Sequence, residues 1–557
     1  MLKYQLFSLT GVEPERQSVL IKGGKLKDDT ELSKLNAKPG QVFTMLGSAS
    51  SQGSALVAPT AKPKFVEDMT EAEAAAQEGA TPAGLQNLGN TCYLNSTLQV
   101  LRSIPEMQDE LKVYKSEPSA ESSLQSLSQF GLGGLASAND LTAQLRDLYQ
   151  HMSETQEGFP PTMFLNALRT IYPQFAQKAK NGHGFAQQDA EEAWSQIVQQ
   201  LRQKLKITDR SIEDQKQAAF IDRYLAGSFH SSLAPPPEAA ENEPTIESDE
   251  PFLKLDCHID QSINHLRDGI VAGLTEQIEK SSPTLGTNAM YTKTSRISRL
   301  PKYLTVHFVR FYWKKDVQKK AKVMRKVTFP EELDVVEYCT DDLRKQLLPV
   351  RDKVREIRKD EQDVERARKR QKLAHKQEED RKHDAQSKEQ EAAPIAKLRE
   401  QKEKKETKDK EKEKEPEDAE MDVYKTDAEY EAERNESIKK AKKELLAVID
   451  PELAADEGSN KSGLYELRGV ITHQGASADS GHYTSFVKKQ GKLIDDPKAP
   501  GGKRREEDGK WWWFNDDRVS EVDPEKIMSL AGGGESASAL ILLYRAIDLP
   551  TKDDVEG

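Results

Sequence analysis

The chain has 557 residues and a net charge of −12, with 32% charged, 36% hydrophobic and only 6% aromatic side chains. That length allows two to four domains, the acidic balance argues against a general polyanion binder, and the lean supply of core-forming residues implies that part of the chain does not pack. Three cysteines, Cys92, Cys257 and Cys339, with no Cys-x-x-Cys pair, exclude a disulfide framework and a four-cysteine zinc site.

Residues 1–47 read as a small domain with a strand over Ser18 to Lys22, a Gly23-Gly24 turn and a second apolar run from Gln41 to Leu46. So short a piece buries only a thin core. Residues 48–81 are rich in Ala, Ser, Pro and Glu, which suits a flexible linker. From 82 to 350 helical and strand-like segments alternate. Trp194, Ile197, Val198, Leu201 and Leu205 fall at helical spacing, which predicts an amphipathic helix over 187–205 starting near Asp189. Tyr303 to Phe311, β-branched and aromatic after Pro301, predicts a buried strand. Residues 351–454 change character to Lys, Arg, Glu, Asp and Gln, and are expected to form a solvated helix or disordered spacer inserted in a surface loop. Strand patterns return in 455–548, at Leu464 to Ile471, Tyr483 to Val487 and Ala539 to Tyr544, apolar enough to complete the interrupted domain as one sheet; 549–557 is a tail. No charged lead precedes an apolar run and nowhere do eighteen apolar residues occur together, so the expected setting is cytoplasmic and nuclear, with no membrane and no nucleic acid as partner.

The chemistry concentrates around Cys92. Gly89 and Asn90 favour a tight turn, and Leu94, Leu98 and Leu101 share one helix face, so a helix should begin at Thr91 or Cys92. A thiol at a helix start is favoured as thiolate, the nucleophilic form. Cys257 and Cys339, in contrast, read as small buried hydrophobes. A base is needed, and His482 follows Gly481, which admits close substrate approach, and opens a strand; His473 competes, but reads as a structural hydrogen-bonder. The aromatic run Trp511 to Phe514 ends in Asn515 and Asp516, either of which can accept the imidazole Nδ1–H and hold its tautomer. Asn87, five residues before the cysteine, can set a side-chain amide beside the Cys92 N–H as an oxyanion hole.

Gly84 to Leu98 resembles the Cys box of the ubiquitin-specific proteases, and Tyr465 to Val519, with Gly481-His482-Tyr483 and Phe514-Asn515-Asp516, resembles their His box. Gln187-Gln188-Asp189-Ala190 and Leu300 to Phe311 match two further elements of that family. The resemblance implies an α+β fold, a papain-like thumb and palm with β-rich fingers, that cradles ubiquitin and hydrolyses the isopeptide bond after its C-terminal glycine, with ubiquitin and ubiquitinated proteins as partners. It implies Cys92 as nucleophile, His482 as base, Asn515 as the orienting residue with Asp516 sharing that role, and Asn87 as oxyanion donor. Asp189, Gln188, Ser480, Gly481 and Tyr483 are implied on the substrate side. Many relatives hold zinc in the fingers through paired cysteines that this chain lacks, so no metal and no cofactor is expected.

Leu6 to Gly47 is similar to the central and C-terminal parts of a ubiquitin-like (β-grasp) domain whose first hairpin is missing, Met1 falling where the central helix should start. Such a domain ahead of this Cys box resembles the branch that docks on the proteasome regulatory particle and is activated there as loops over the active site, here including Gly475 to Ser480, move aside. The rival expectations are a catalytically silent ubiquitin-binding scaffold and a protease for another ubiquitin-like modifier.

Overall fold

A computed structural model describes, apart from isolated positions, residues 69–116, 140–179, 184–208, 217–314, 319–370, 427–477, 480–495 and 503–551, with short pieces of the first 46. The chain falls into two units, Met1–Met69 and Thr70–Gly557. In the first, strand Ser18–Ile21 pairs antiparallel with Gly24–Lys25 on one side and Thr44–Leu46 on the other. Val19 is buried on one face while Leu20 and Leu46, which share the other, are exposed.

The second unit begins earlier than the expected linker boundary, because Thr70 and Glu73 form a reciprocal capping box at the start of a helix over Glu71–Ala75. Its helical layer comprises α1 (Cys92–Arg102), α2 (Pro105–Val113), α3 (Leu141–Met152), α4 (Thr162–Ile171) and α5 (Ala190–Lys204). Every α1 residue from Cys92 to Leu101 is buried. Its polar members must therefore find partners inside, and Gln99 donates to Ala83 O and Thr97 to Tyr93 O.

Strands β1 (Gly227–Ala234) and β2 (Ile246–Phe252), followed by β3 (Leu255–His258), β4 (Thr275–Ser281) and β5 (Asn288–Arg299), lead into β6 (Tyr303–Val309). After the insertion come β7 (Leu464–Ser477), β8 (Ser480–Lys488), β9 (Trp511–Asn515), β10 (Arg518–Val522) and β11 (Ser538–Ala546). One antiparallel sheet is ordered β2-β1-β5-β4. The other runs β10-β9-β8-β7-β11-β6-β3, with Glu332–Asp334 beside the start of β7, and only β3 and β6 are parallel. β6 and β11 lie in its middle with side chains buried on both faces, which is why they read as unbroken apolar runs. α1 packs on β7 and β8, and Gly469 permits the approach: a Cβ there would stand 2.6 Å from Val100 Cγ1.

The charged insertion departs from the expected spacer at both ends. A helix over residues 341–364 and α6 (Asp427–Val448) enclose a seam of Val350, Val354, Ile357, Val364, Ile438, Ala441 and Leu445, capped by Leu464 at the first position of β7. Lys353–Glu444 and Lys442–Glu361 pairs flank the seam, and Arg355 and Arg358 tie the first helix to Asp334 and Glu332. Six of these seven apolar positions are spread through the charged stretch, where they escape notice by composition, yet the set suffices for a two-helix seam. The middle of the insertion, 371–426, lies outside the described residues.

Candidate active site

Cys92 opens α1, as the spacing of Leu94, Leu98 and Leu101 requires. Asn90 stands at φ 55° and Gly89 at 97°, making the sharp turn that ends at the thiol. Asn87 organises this turn: its Oδ1 accepts from the backbone N–H groups of Gly89 and Thr91, each at 3.1 Å, and from Thr91 Oγ1 at 3.3 Å. Its Nδ2 donates to Asp516 Oδ2 at 3.0 Å. One further hydrogen of that amide remains available.

His482 lies near the start of β8, and its Nε2 meets Asn515 Oδ1 at 2.6 Å. Asn515 therefore bonds Nε2 rather than the expected Nδ1, and Nδ1 is the other ring nitrogen of His482. The backbone amide of Tyr483, next after His482, lies close enough to the Cys92 sulfur to favour its thiolate, as do those of Tyr93 and Cys92 itself. Stretches about 390 residues apart in sequence thus meet at one thiol.

Two expectations change. Cys92 is 3% exposed, and burial pushes its thiol up to about 11; the three amides pull downward and the Asp516 charge pushes further up. The free enzyme thus holds a neutral thiol, because desolvation outweighs the helix-start amides. Asp516, at φ 56°, does not address the imidazole: besides Asn87 it accepts from Asn95 Nδ2 at 2.8 Å, and its backbone O from Leu85 N at 2.9 Å. Asn515 and Asp516 serve different partners because the strand ends at Asn515 and the left-handed backbone at Asp516 turns the chain.

The residues expected on the substrate side are mixed. Asp189 caps α5, accepting from Glu191 N at 3.0 Å, and Gln188 Nε2 reaches Ala186 O at 3.3 Å. The Tyr483 ring is buried against His473, so its backbone rather than its side chain faces the thiol. Gly481 is demanded by the fold itself: it sits at φ 133° and a Cβ would stand 2.2 Å from Gln474 O and 2.6 Å from His473 Nε2. Ser480 is exposed. His473 is fully buried, its ring between the edges of Phe311 and Tyr483, and burial lowers its pKa to about 3. Cys257 and Cys339 are buried free thiols. Among the described residues no group of three or more His, Cys, Asp or Glu side chains is placed to hold a metal, and no helix is long and apolar enough to cross a membrane.

Sequence reasoning missed three contributors. Asn95 joins Leu85 O, Gln86 O and Asp516, and the available signal was an amide on the buried face of α1. Gly84 lets the turn after β9 close on the segment before α1, since a Cβ there would lie 2.5 Å from Asp517 O. Arg310, 1% exposed, donates to the carbonyls of Ala539, Arg325 and Ala531, tying the end of β6 to two loops.

A buried cysteine opening a helix, with a histidine and asparagine on an adjacent antiparallel sheet, defines a papain-like cysteine protease. The family described as ubiquitin carboxyl-terminal hydrolase matches residues 83–544, and the chain belongs to it. It is 38% identical over 548 residues to ubiquitin carboxyl-terminal hydrolase 6 of Schizosaccharomyces pombe, covering 98% of this chain and 94% of that protein. It is also 35% identical to ubiquitin carboxyl-terminal hydrolase 6 of Arabidopsis thaliana, with the same coverage, and 29% identical to ubiquitin carboxyl-terminal hydrolase 14 of Caenorhabditis elegans, covering 88% of the latter. The protein is a thiol-dependent deubiquitinase acting on ubiquitin and ubiquitinated proteins.

Proposed function

We propose that Cys92, His482, Asn515 and Asn87 carry the hydrolysis, with Asp516 holding the oxyanion donor. The carrying observation is the His482–Asn515 bond at 2.6 Å, at the residue next before the Tyr483 amide that favours the Cys92 thiolate. With Nε2–H given to Asn515, the lone pair of Nδ1 takes the thiol proton. The thiolate attacks the carbonyl after ubiquitin's terminal glycine, and the resulting oxyanion is met by the second Asn87 amide hydrogen and the Cys92 N–H. The imidazolium returns its proton to the leaving lysine amine; water, activated by the same imidazole, then cleaves the thioester. Asn515 is neutral, so it orients the ring without stabilising imidazolium by charge.

The reading extends to location and partner. Residues 1–47 act as a ubiquitin-like domain docking on the proteasome regulatory particle in cytosol and nucleus, where the enzyme trims ubiquitin from conjugates. Support comes from the exposed Leu20 and Leu46 on one face of the small sheet. Release of a fluorophore from a ubiquitin C-terminal amide, with and without purified proteasome, tests both parts. Cys92→Ala should abolish release while leaving ubiquitin binding intact, and Leu20→Asp with Leu46→Asp should remove only the proteasome's effect. Residual turnover in Cys92→Ala, or an undiminished proteasome effect in the double variant, would overturn the corresponding part.

A further inference from the structure

The hairpin formed by Phe311–Lys314 and Lys319–Lys322 presents two groups to one histidine of β7. Phe311 and Lys322 are register partners. The Phe311 ring meets the His473 ring edge-on at 5.2 Å, and Lys322 Nζ donates to the His473 carbonyl at 2.6 Å. Lys322 is 6% exposed, and among the described residues no carboxylate acts on its amine. Burial, with repulsion from the neighbouring Arg310 guanidinium adding to it, lowers its pKa to about 8. A buried cation without a counter-charge is costly, and a buried lysine could be replaced by an apolar side chain at a gain in stability. Retaining it calls for a use.

The use lies one strand away. His473 pairs with Tyr483 across β7 and β8, its ring centroid lies 4.7 Å from that of Tyr483, and its Nε2 would stand 2.6 Å from a Cβ at Gly481. His482 stands between those two residues, and the Tyr483 amide faces the Cys92 sulfur. β7 needs such an anchor, because its pairing with β8 slips between Gln474 and Ser477, immediately beyond His473.

We propose that Lys322 and Phe311 act as a clamp on His473 that positions the His482 imidazole against the Cys92 thiol, so that Lys322 is a positioning residue kept at the expense of stability. This rests on the assignment of His482 as base.

Steady-state hydrolysis of a ubiquitin C-terminal amide by full-length Lys322→Met, combined with thermal unfolding, tests it. The expected result is a kcat lower by about tenfold, KM within about twofold of wild type, and Tm equal or higher. A merely structural lysine would instead lose Tm and kcat together, and that result, or an unchanged kcat, overturns the proposal. Phe311→Leu supplies the second arm: it should also lower kcat, and the double variant should lose less than the product of the two separate losses, because both act through one ring. Losses that simply multiply would show two independent effects and sink the clamp. Failure of the base assignment would look different, since His482→Ala would then retain turnover.

Discussion

In the free enzyme Cys92 should react as a buried, protonated thiol. Its pKa is lifted from 9.0 to about 11, chiefly by burial. The lifted value keeps the proton on sulfur to higher pH, so below pH 9 the thiolate is about one hundredfold scarcer than on a free cysteine. The rate of iodoacetamide alkylation, followed by intact mass, should rise about tenfold per pH unit without a plateau below about pH 10. A plateau near neutrality would refute the dominance of burial. Asp516→Asn makes the test sharper, since the Asp516 charge raises the thiol pKa while its two oxygens hold the amides of Asn87 at 3.0 Å and Asn95 at 2.8 Å. Losing the charge should speed alkylation. Losing a charge-assisted bond worth about 1.5–3 kcal/mol at the oxyanion donor should slow kcat by about 10- to 100-fold. The two rates therefore move in opposite directions; if both fall together, Asp516 supports only the local fold.

Leu445→Ala, which empties a fully buried position in the seam of the insertion, should cost about 2–5 kcal/mol and lower Tm while the folded enzyme turns over normally. An unchanged Tm would mean that the helical pair contributes nothing to the unit. Glu243 accepts from Ser282 Oγ, Tyr291 Oη and, at 3.0 Å, Thr284 N, holding the far end of the β2-β1-β5-β4 sheet, and these bonds lower its pKa to about 2. Their contribution is therefore present above the ordinary carboxylate value of 4.5 and is lost as pH falls toward about 2. On the reading that this sheet contacts ubiquitin, Glu243→Gln should raise KM for ubiquitin substrates and leave kcat unaltered; a change confined to kcat would contradict it.

Local chemistry made much of the molecule legible. The leucine spacing after Cys92 announced α1, the residue types of β6 and β11 announced strands buried on both faces, and the capping aspartate of α5 lies where the apolar period begins. The seam of the insertion was hidden because its apolar residues are diluted among charges and its two halves are separated by more than sixty residues. The roles of Asn515 and Asp516 were hidden for another reason: both residue types can accept from imidazole, and only the direction each takes beyond β9 separates them.

The residue types and their order determined which chemistry this chain can perform, since a cysteine at a helix start, a histidine opening a strand and an amide after an aromatic run keep their character wherever they fold. The tertiary structure alone decided how these groups are tuned. The ionisation of Cys92 depends on how completely α1 is enclosed, the imidazole nitrogen bonded to Asn515 depends on how β8 and β9 meet, and the buried amine of Lys322 acquires meaning only beside His473. Desolvation and hydrogen-bond direction are properties of what surrounds a group in space, and neighbours in space are not written in neighbouring letters.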